Sequence, residues 1–193
     1  MAYKVGDVFY LGLDATITAA GTGATTAQLD LSAYINPIPA KGRGSGLAIY
    51  KVHYDVSPST TGGEGMKLAE TGAFRGGLVA GAGLGNNATG VVTPTGVQQP
   101  SAENALAIFG FDYYGPKSTV ANASTPGGMF RSTYLEPSKE VPYIVVRDNV
   151  CLVLEMIDLS PSVADMTVNM RLECEVVTLT SQFMTQLLRT QTV

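Results

Sequence analysis

"ADMTVNMRLECEVVTLT", residues 164–180, places Met170, Leu172, Cys174 and Val176 on one side of an extended chain and Asn169, Arg171, Glu173 and Glu175 on the other. A period of two belongs to a β-strand, whose successive side chains point to opposite faces; an amphipathic helix would repeat every 3.6 residues. This stretch is the longest strand in the sequence. One of its faces belongs in a core, and the other belongs at solvent or a polar interface.

The same alternation recurs through the chain. "AQLDLSAYINP" (27–37) sets Leu29, Leu31, Ala33 and Ile35 against Gln28, Asp30, Ser32 and Asn36, and Pro37 stops it. "GLAIYKVHYDVS" (46–57) puts Ala48, Tyr50, Val52, Tyr54 and Val56 on one face. "ALAIFGFDYYG" (105–115) is a further strand ended by Gly115 and Pro116. In "VPYIVVRDNVCLVLEMID" (141–158), a polar break at 147–149 precedes a strand that is apolar on both sides, with Val150, Leu152, Leu154 and Met156 opposite Cys151, Val153 and Ile157. Such a strand sits in the middle of a sandwich or beneath a partner subunit.

Between these strands lie a Gly/Thr/Pro-rich excursion at 57–101, with short strand candidates at 66–70 and 73–79, and a second loop at 117–128. The densest part, "GGLVAGAGLGNNATG" (76–90), lacks the Gly-Lys-Ser/Thr ending of a phosphate loop and the third glycine of a dinucleotide fingerprint. It reads as a surface excursion that uses glycine for φ > 0 turns. The expected fold is therefore all-β: one antiparallel β-sandwich of jelly-roll type over residues 1–193, with about 8 to 10 strands. Immunoglobulin domains are disfavoured because the chain has no tryptophan.

The C-terminus changes period. In "SQFMTQLLRTQTV" (181–193), Phe183 with Leu187 and Met184 with Leu188 are i, i+4 pairs, and Ser181 is placed to cap, so a short helix or arm is expected. Its apolar side must rest on its own sandwich or on a neighbouring subunit. Phe183, Met184, Leu187 and Leu188 are accordingly the expected subunit-interface residues.

Composition bears on function. Charged residues make up 15% of the 193 residues and hydrophobic residues 45%, against about 25% charged in ordinary soluble domains. So little charge suits a surface largely covered by neighbours. The net charge is −4 and the 12 Lys and Arg are spread thinly, so neither nucleic-acid binding nor an anionic-lipid footprint is expected. No apolar run is long enough to insert in a membrane, and the first residues lack the apolar region of a signal peptide. Synthesis in the cytoplasm is the expectation.

Catalytic constellations are weak. Lys51, His53 and Asp55 share a strand face, but residues i and i+2 lie roughly 7 Å apart, and "GRGSG" (42–46) has Arg43 where a nucleophile elbow needs glycine. His53 is the single histidine, which removes most zinc and iron chemistry. Glu173 and Glu175 alternate with Arg171 as a polar strand face does. Cys151 and Cys174 suit buried thiols, with a disulfide open only if their strands are neighbours. No catalytic residue, metal or cofactor is expected. Asn87 and Asn122 head glycosylation acceptor patterns, which matter only in a secreted chain.

In this combination the chain resembles, from about Val5 to Thr180, the small single jelly-roll capsid proteins of icosahedral viruses, including those of tailless DNA phages and archaeal viruses. The resemblance implies a coat protein of the virion, made in the host cytoplasm, that assembles with itself and with other virion proteins. It departs from many such proteins in having no basic N-terminal arm, which implies a genome held by an internal membrane or a separate core protein. The alternative is a carbohydrate- or receptor-binding sandwich, a virion spike or secreted trimeric ligand, using Phe109, Phe111, Tyr113 and Tyr114 as an aromatic platform.

Overall fold

The computed structural model describes residues 7–17, 23–40, 43–58, 73–81, 106–114, 130–157 and 165–191. These form β1 (Phe9–Ile17), β2 (Gly23–Asp30), β3 (Asn36–Ala40), β4 (Arg43–Pro58), β5 (Ala73–Ala80), β6 (Ala107–Tyr114), β7 (Phe130–Tyr134), β8 (Tyr143–Val145), β9 (Asn149–Ile157), β10 (Met166–Thr180) and the helix α1 (Ser181–Thr190). Every strand pairing is antiparallel. The first sheet has the order β1-β10-β4-β3, with β8 also on β4, and the second has the order β2-β9-β5-β6-β7.

The pairings nest. β1 pairs with β10, β2 with β9, β4 with β8 and β5 with β6, and successive pairs alternate between the first sheet and the second. A long hairpin ribbon rolled up in this way is a jelly roll, with β3 and β7 added beside β4 and β6.

Between the sheets lies an apolar core. β10 contributes Val168, Met170, Leu172 and Cys174, and β9 contributes Val150, Leu152 and Leu154. Aromatic rings join the two layers: Tyr54 of β4 stacks on Phe111 of β6 with centroids 4.8 Å apart and meets Phe109 at 5.2 Å, while Phe74 of β5 packs on Phe111 within the second sheet at 5.7 Å. The doubly apolar strand is β9, in the interior of the second sheet. Its other side, Cys151 and Val153, is buried with Val79 and Ala107 in a separate cluster of the same chain.

Several local readings change. β2 ends at Asp30 and does not run to Pro37, because the Asp30 carboxylate accepts the Ser32 amide at 2.8 Å and turns the chain; Ala33 is exposed and only Leu31 and Ile35 reach the core. β4 begins at Arg43 and, with 16 residues against 15 in β10, is the longest described strand; opposite the Glu173/Cys174 bulge its parity flips, so Leu47 and Ile49, rather than Ala48 and Tyr50, join Val52 and Tyr54 in facing the core. The glycine-dense stretch is not all surface. Gly76 and Gly77 lie in β5, between β9 and β6, where a Cβ on Gly76 would stand 2.6 Å from Leu154 and 2.8 Å from Phe111. Gly81 supplies the expected turn, with φ +103°. The rest of that stretch, most of the excursion at 57–101, the loop at 117–128 and the acceptor sites at Asn87 and Asn122 lie outside the described residues.

Candidate functional site

The outward side of the β1–β10–β4 layer is polar, and its register sets the side chains in rows. Asp14, Asn169 and Asp55 form one row; Gly12, Arg171 and His53 form the next; Tyr10, Glu173 and Lys51 form a third. Tyr10, Gly12, Asp14, His53, Asp55, Asn169 and Arg171 line a shallow open depression whose floor includes Gly12. The Arg171 guanidinium lies over the Tyr10 ring at 5.7 Å, and the His53 ring stands 6.4 Å from Tyr10. Glu173 closes one end, with its carboxylate 3.6 Å from the Lys139 ammonium and 3.8 Å from His53 Nε2.

Lys51, His53 and Asp55 share this face with Arg171 and Glu173, as their spacing required. The second carboxylate, Glu175, is elsewhere in character. It is only 3% exposed and accepts a 2.5 Å hydrogen bond from the Tyr50 hydroxyl. Burial, reinforced by Glu175, pushes the Tyr50 phenol up to about 12. Glu173 and Glu175 thus differ in surroundings, one beside the Lys139 ammonium and the His53 ring and one sealed under a tyrosine. The β1 residues Tyr10, Gly12 and Asp14 were not picked out by sequence reasoning. Their signal was available: Phe9, Leu11, Leu13, Ala15 and Ile17 alternate with Tyr10, Gly12, Asp14 and Thr16.

At the other end of the layer, α1 covers β10 and β4. Met184 is buried with Val146 and Leu179, and Leu187 and Leu188 pack beside them. The glycines of "GRGSG" make this seat: a Cβ on Gly44 would meet Met184 Cε and the Asn36 carbonyl oxygen at 2.8 Å, and one on Gly46 would meet Leu179 at 2.9 Å. Gln191 fixes the helix exit, donating to the Ile144 carbonyl at 2.7 Å and accepting from the Val146 amide at 3.2 Å. The N-cap is Thr180, one residue before the expected Ser181, and its hydroxyl accepts the Phe183 amide at 3.4 Å. Of the four expected interface residues, Met184 is buried in its own chain, Leu187 and Leu188 are half-buried against it, and Phe183 is 41% exposed.

The aromatic platform is corrected. Phe109, Phe111 and Tyr113 are buried in the core, where no sugar can reach them, because their side of β6 faces the first sheet; the Tyr114 side chain lies outside the described residues. Cys151 and Cys174 are buried thiols in different clusters, with no disulfide between them. Burial, then the Glu173 charge, pushes the Cys174 thiol up to about 12, which keeps it protonated. Among the described residues no cluster of His, Cys, Asp and Glu could hold a metal, and no helix is long and apolar enough to cross a membrane.

No protein-family model matches the sequence, and no curated protein matches it. Solved structures do resemble the fold. Merkel cell polyomavirus VP1 in complex with disialyllactose aligns with a TM-score of 0.49 and 8% identity, over 93% of this chain and 100% of that one. VP1 of the Trichodysplasia spinulosa-associated polyomavirus, in complex with sialylated glycooligomers, aligns at 0.44 and 9%, over 88% and 94%. A Desmodium yellow mottle tymovirus structure aligns at 0.34 and 8%, over 91% and 88%. The structural neighbours are polyomavirus VP1 and tymovirus capsid proteins.

Proposed function

We propose that this chain is a structural coat protein that assembles with copies of itself into a closed icosahedral virion shell. The observation that carries the reading is the nested pairing of β1 with β10, β2 with β9, β4 with β8 and β5 with β6. Jelly rolls serve as capsid, lectin and cupin domains. Cupin chemistry needs a metal set that a single histidine cannot supply, and the aromatic platform that favoured a lectin is core. The shell reading alone makes use of a chain with 15% charged residues, since a surface poor in charge is suited to burial against neighbours.

In this reading the chain does no catalysis, binds no cofactor and works in the virion after synthesis in the host cytoplasm. Its partners are its own copies and other virion proteins, with no direct hold on nucleic acid and no membrane insertion. Phe183, outward on a helix that is otherwise seated, is the residue of the C-terminal group placed to touch a neighbour. Negative-stain microscopy of concentrated protein, with light scattering across a concentration series, tests the reading. Closed shells, rings or ordered sheets are expected; a particle that stays monomeric at every concentration would overturn it.

A further inference from the structure

Gly12 occupies the middle of β1, yet nothing in the backbone calls for glycine there. Among the described glycines, Gly81 is the one with positive φ, and a Cβ built on Gly12 would touch only the Met170 carbonyl oxygen, at an ordinary 3.8 Å. Glycine in a strand interior weakens it, and often marks a place where a ligand approaches the backbone. Here the vacated volume is the floor of the depression between Tyr10, His53, Asp14 and Arg171.

We propose that this depression binds a neutral saccharide. Two rows on three strands span roughly 7 by 10 Å, the footprint of a single pyranose ring. Each sugar hydroxyl both donates and accepts, and the two rows offer both partners: Asp14 and Asp55 accept, Arg171 and His53 donate, and the Asn169 amide does either. Tyr10, 58% exposed at the rim with Arg171 over its ring, presents a ring edge to the C–H side of a sugar. The charge selects among ligands. Among the lining residues the two carboxylates Asp14 and Asp55 outnumber the single fixed cation Arg171, so an anionic sugar meets more repulsion than attraction. A flat apolar partner would find no apolar patch on the Asp14–Asn169–Asp55 row.

The site is independent of shell formation, and its test is separate. The full chain is screened by saturation-transfer NMR against methyl galactoside, glucoside, mannoside and N-acetylglucosaminide, with sialyllactose as the anionic probe. At least one neutral glycoside is expected to give a saturable signal, and Gly12→Val is expected to weaken it by about tenfold or more while melting no earlier than the wild type. Asn169→Ala is expected to weaken it as well. A silent panel, a response to sialyllactose alone, or neutral binding untouched by both substitutions would overturn the proposal. So would a silent panel with shell assembly abolished by Gly12→Val, which would make the depression a contact between copies. Neutral binding by a protein that forms no shells would instead uphold this site and defeat the coat reading.

Discussion

One strand, β10, has two outward faces of opposite character. From Met166 to Glu173 its outward residues, Asn169 and Arg171, are exposed beside Asp14, Gly12, Asp55 and His53. From Cys174 onwards, Glu175 is buried under Tyr50, and Leu179 lies beneath α1. The bulge at Glu173/Cys174 divides them. What separates the halves is what covers them, because both begin as polar–apolar alternation. The covered half should carry stability, and the open half should be free to carry recognition.

The covered half gives the largest expected effect. Met184→Ala removes a buried side chain seated on Gly44, so a loss of about 2–5 kcal/mol is expected, measured by denaturant unfolding. Gly44→Val should be as severe, since its Cβ would press on the Asn36 carbonyl as well as on Met184. If either variant melts like the wild type, α1 is not part of the monomer and the division of β10 fails.

Polar closure comes next. Gln191→Ala leaves the Ile144 carbonyl and the Val146 amide without their side-chain partner, an expected loss of about 1–3 kcal/mol. Tyr50→Phe removes the donor to buried Glu175, with a loss expected in the same range of about 1–3 kcal/mol. A pH series sharpens the same point. Folding raises the Tyr50 and Tyr143 phenols from 10.0 to about 12 and the Cys174 thiol from 9.0 to about 12, each chiefly by burial. Groups whose folded pKa is raised contribute stability that is complete below the unfolded value and lost as pH climbs to the folded one. Unfolding free energy should therefore hold up to about pH 9 and fall steeply towards 12. A flat profile there would mean that these groups are already hydrated in the native state.

Much of this division was legible in the sequence, and the reasons differ by element. The alternation of β10, the doubly apolar β9 and the i, i+4 pairs of α1 are local patterns, so they survive without knowledge of neighbours. The parity flip in β4 is not local, because the bulge belongs to the pairing of two strands 120 or so residues apart and leaves no mark in "LAIYKV". Gly76 and Gly77 read as part of a short strand candidate in a glycine-rich excursion and Gly110 as part of a strand, but the reason for glycine at each place is not local. In the structure Gly76 is glycine because Leu154 and Phe111 crowd it, and Gly110 because the Tyr134 ring lies on it. The depression went unread for a related reason: its residues come from three strands whose order the sequence does not state.

The smallest effect belongs to the open half. Arg171 touches the Tyr10 ring at 5.7 Å and otherwise faces water, an arrangement worth about 0.5–1 kcal/mol at an exposed site. Arg171→Gln should therefore cost no more than about 1 kcal/mol in unfolding free energy, and Asp55→Asn, which touches no described partner, about half that or less. Each side chain stands on a strand whose inward neighbours, Met170 with Leu172 and Tyr54 with Val56, keep their packing. High salt should erase what little Arg171→Gln costs, since an exposed cation's contacts are screened. A loss of several kcal/mol from either substitution would show that the open face is covered in the native protein after all, and the two halves of β10 would then differ only in which cover is visible.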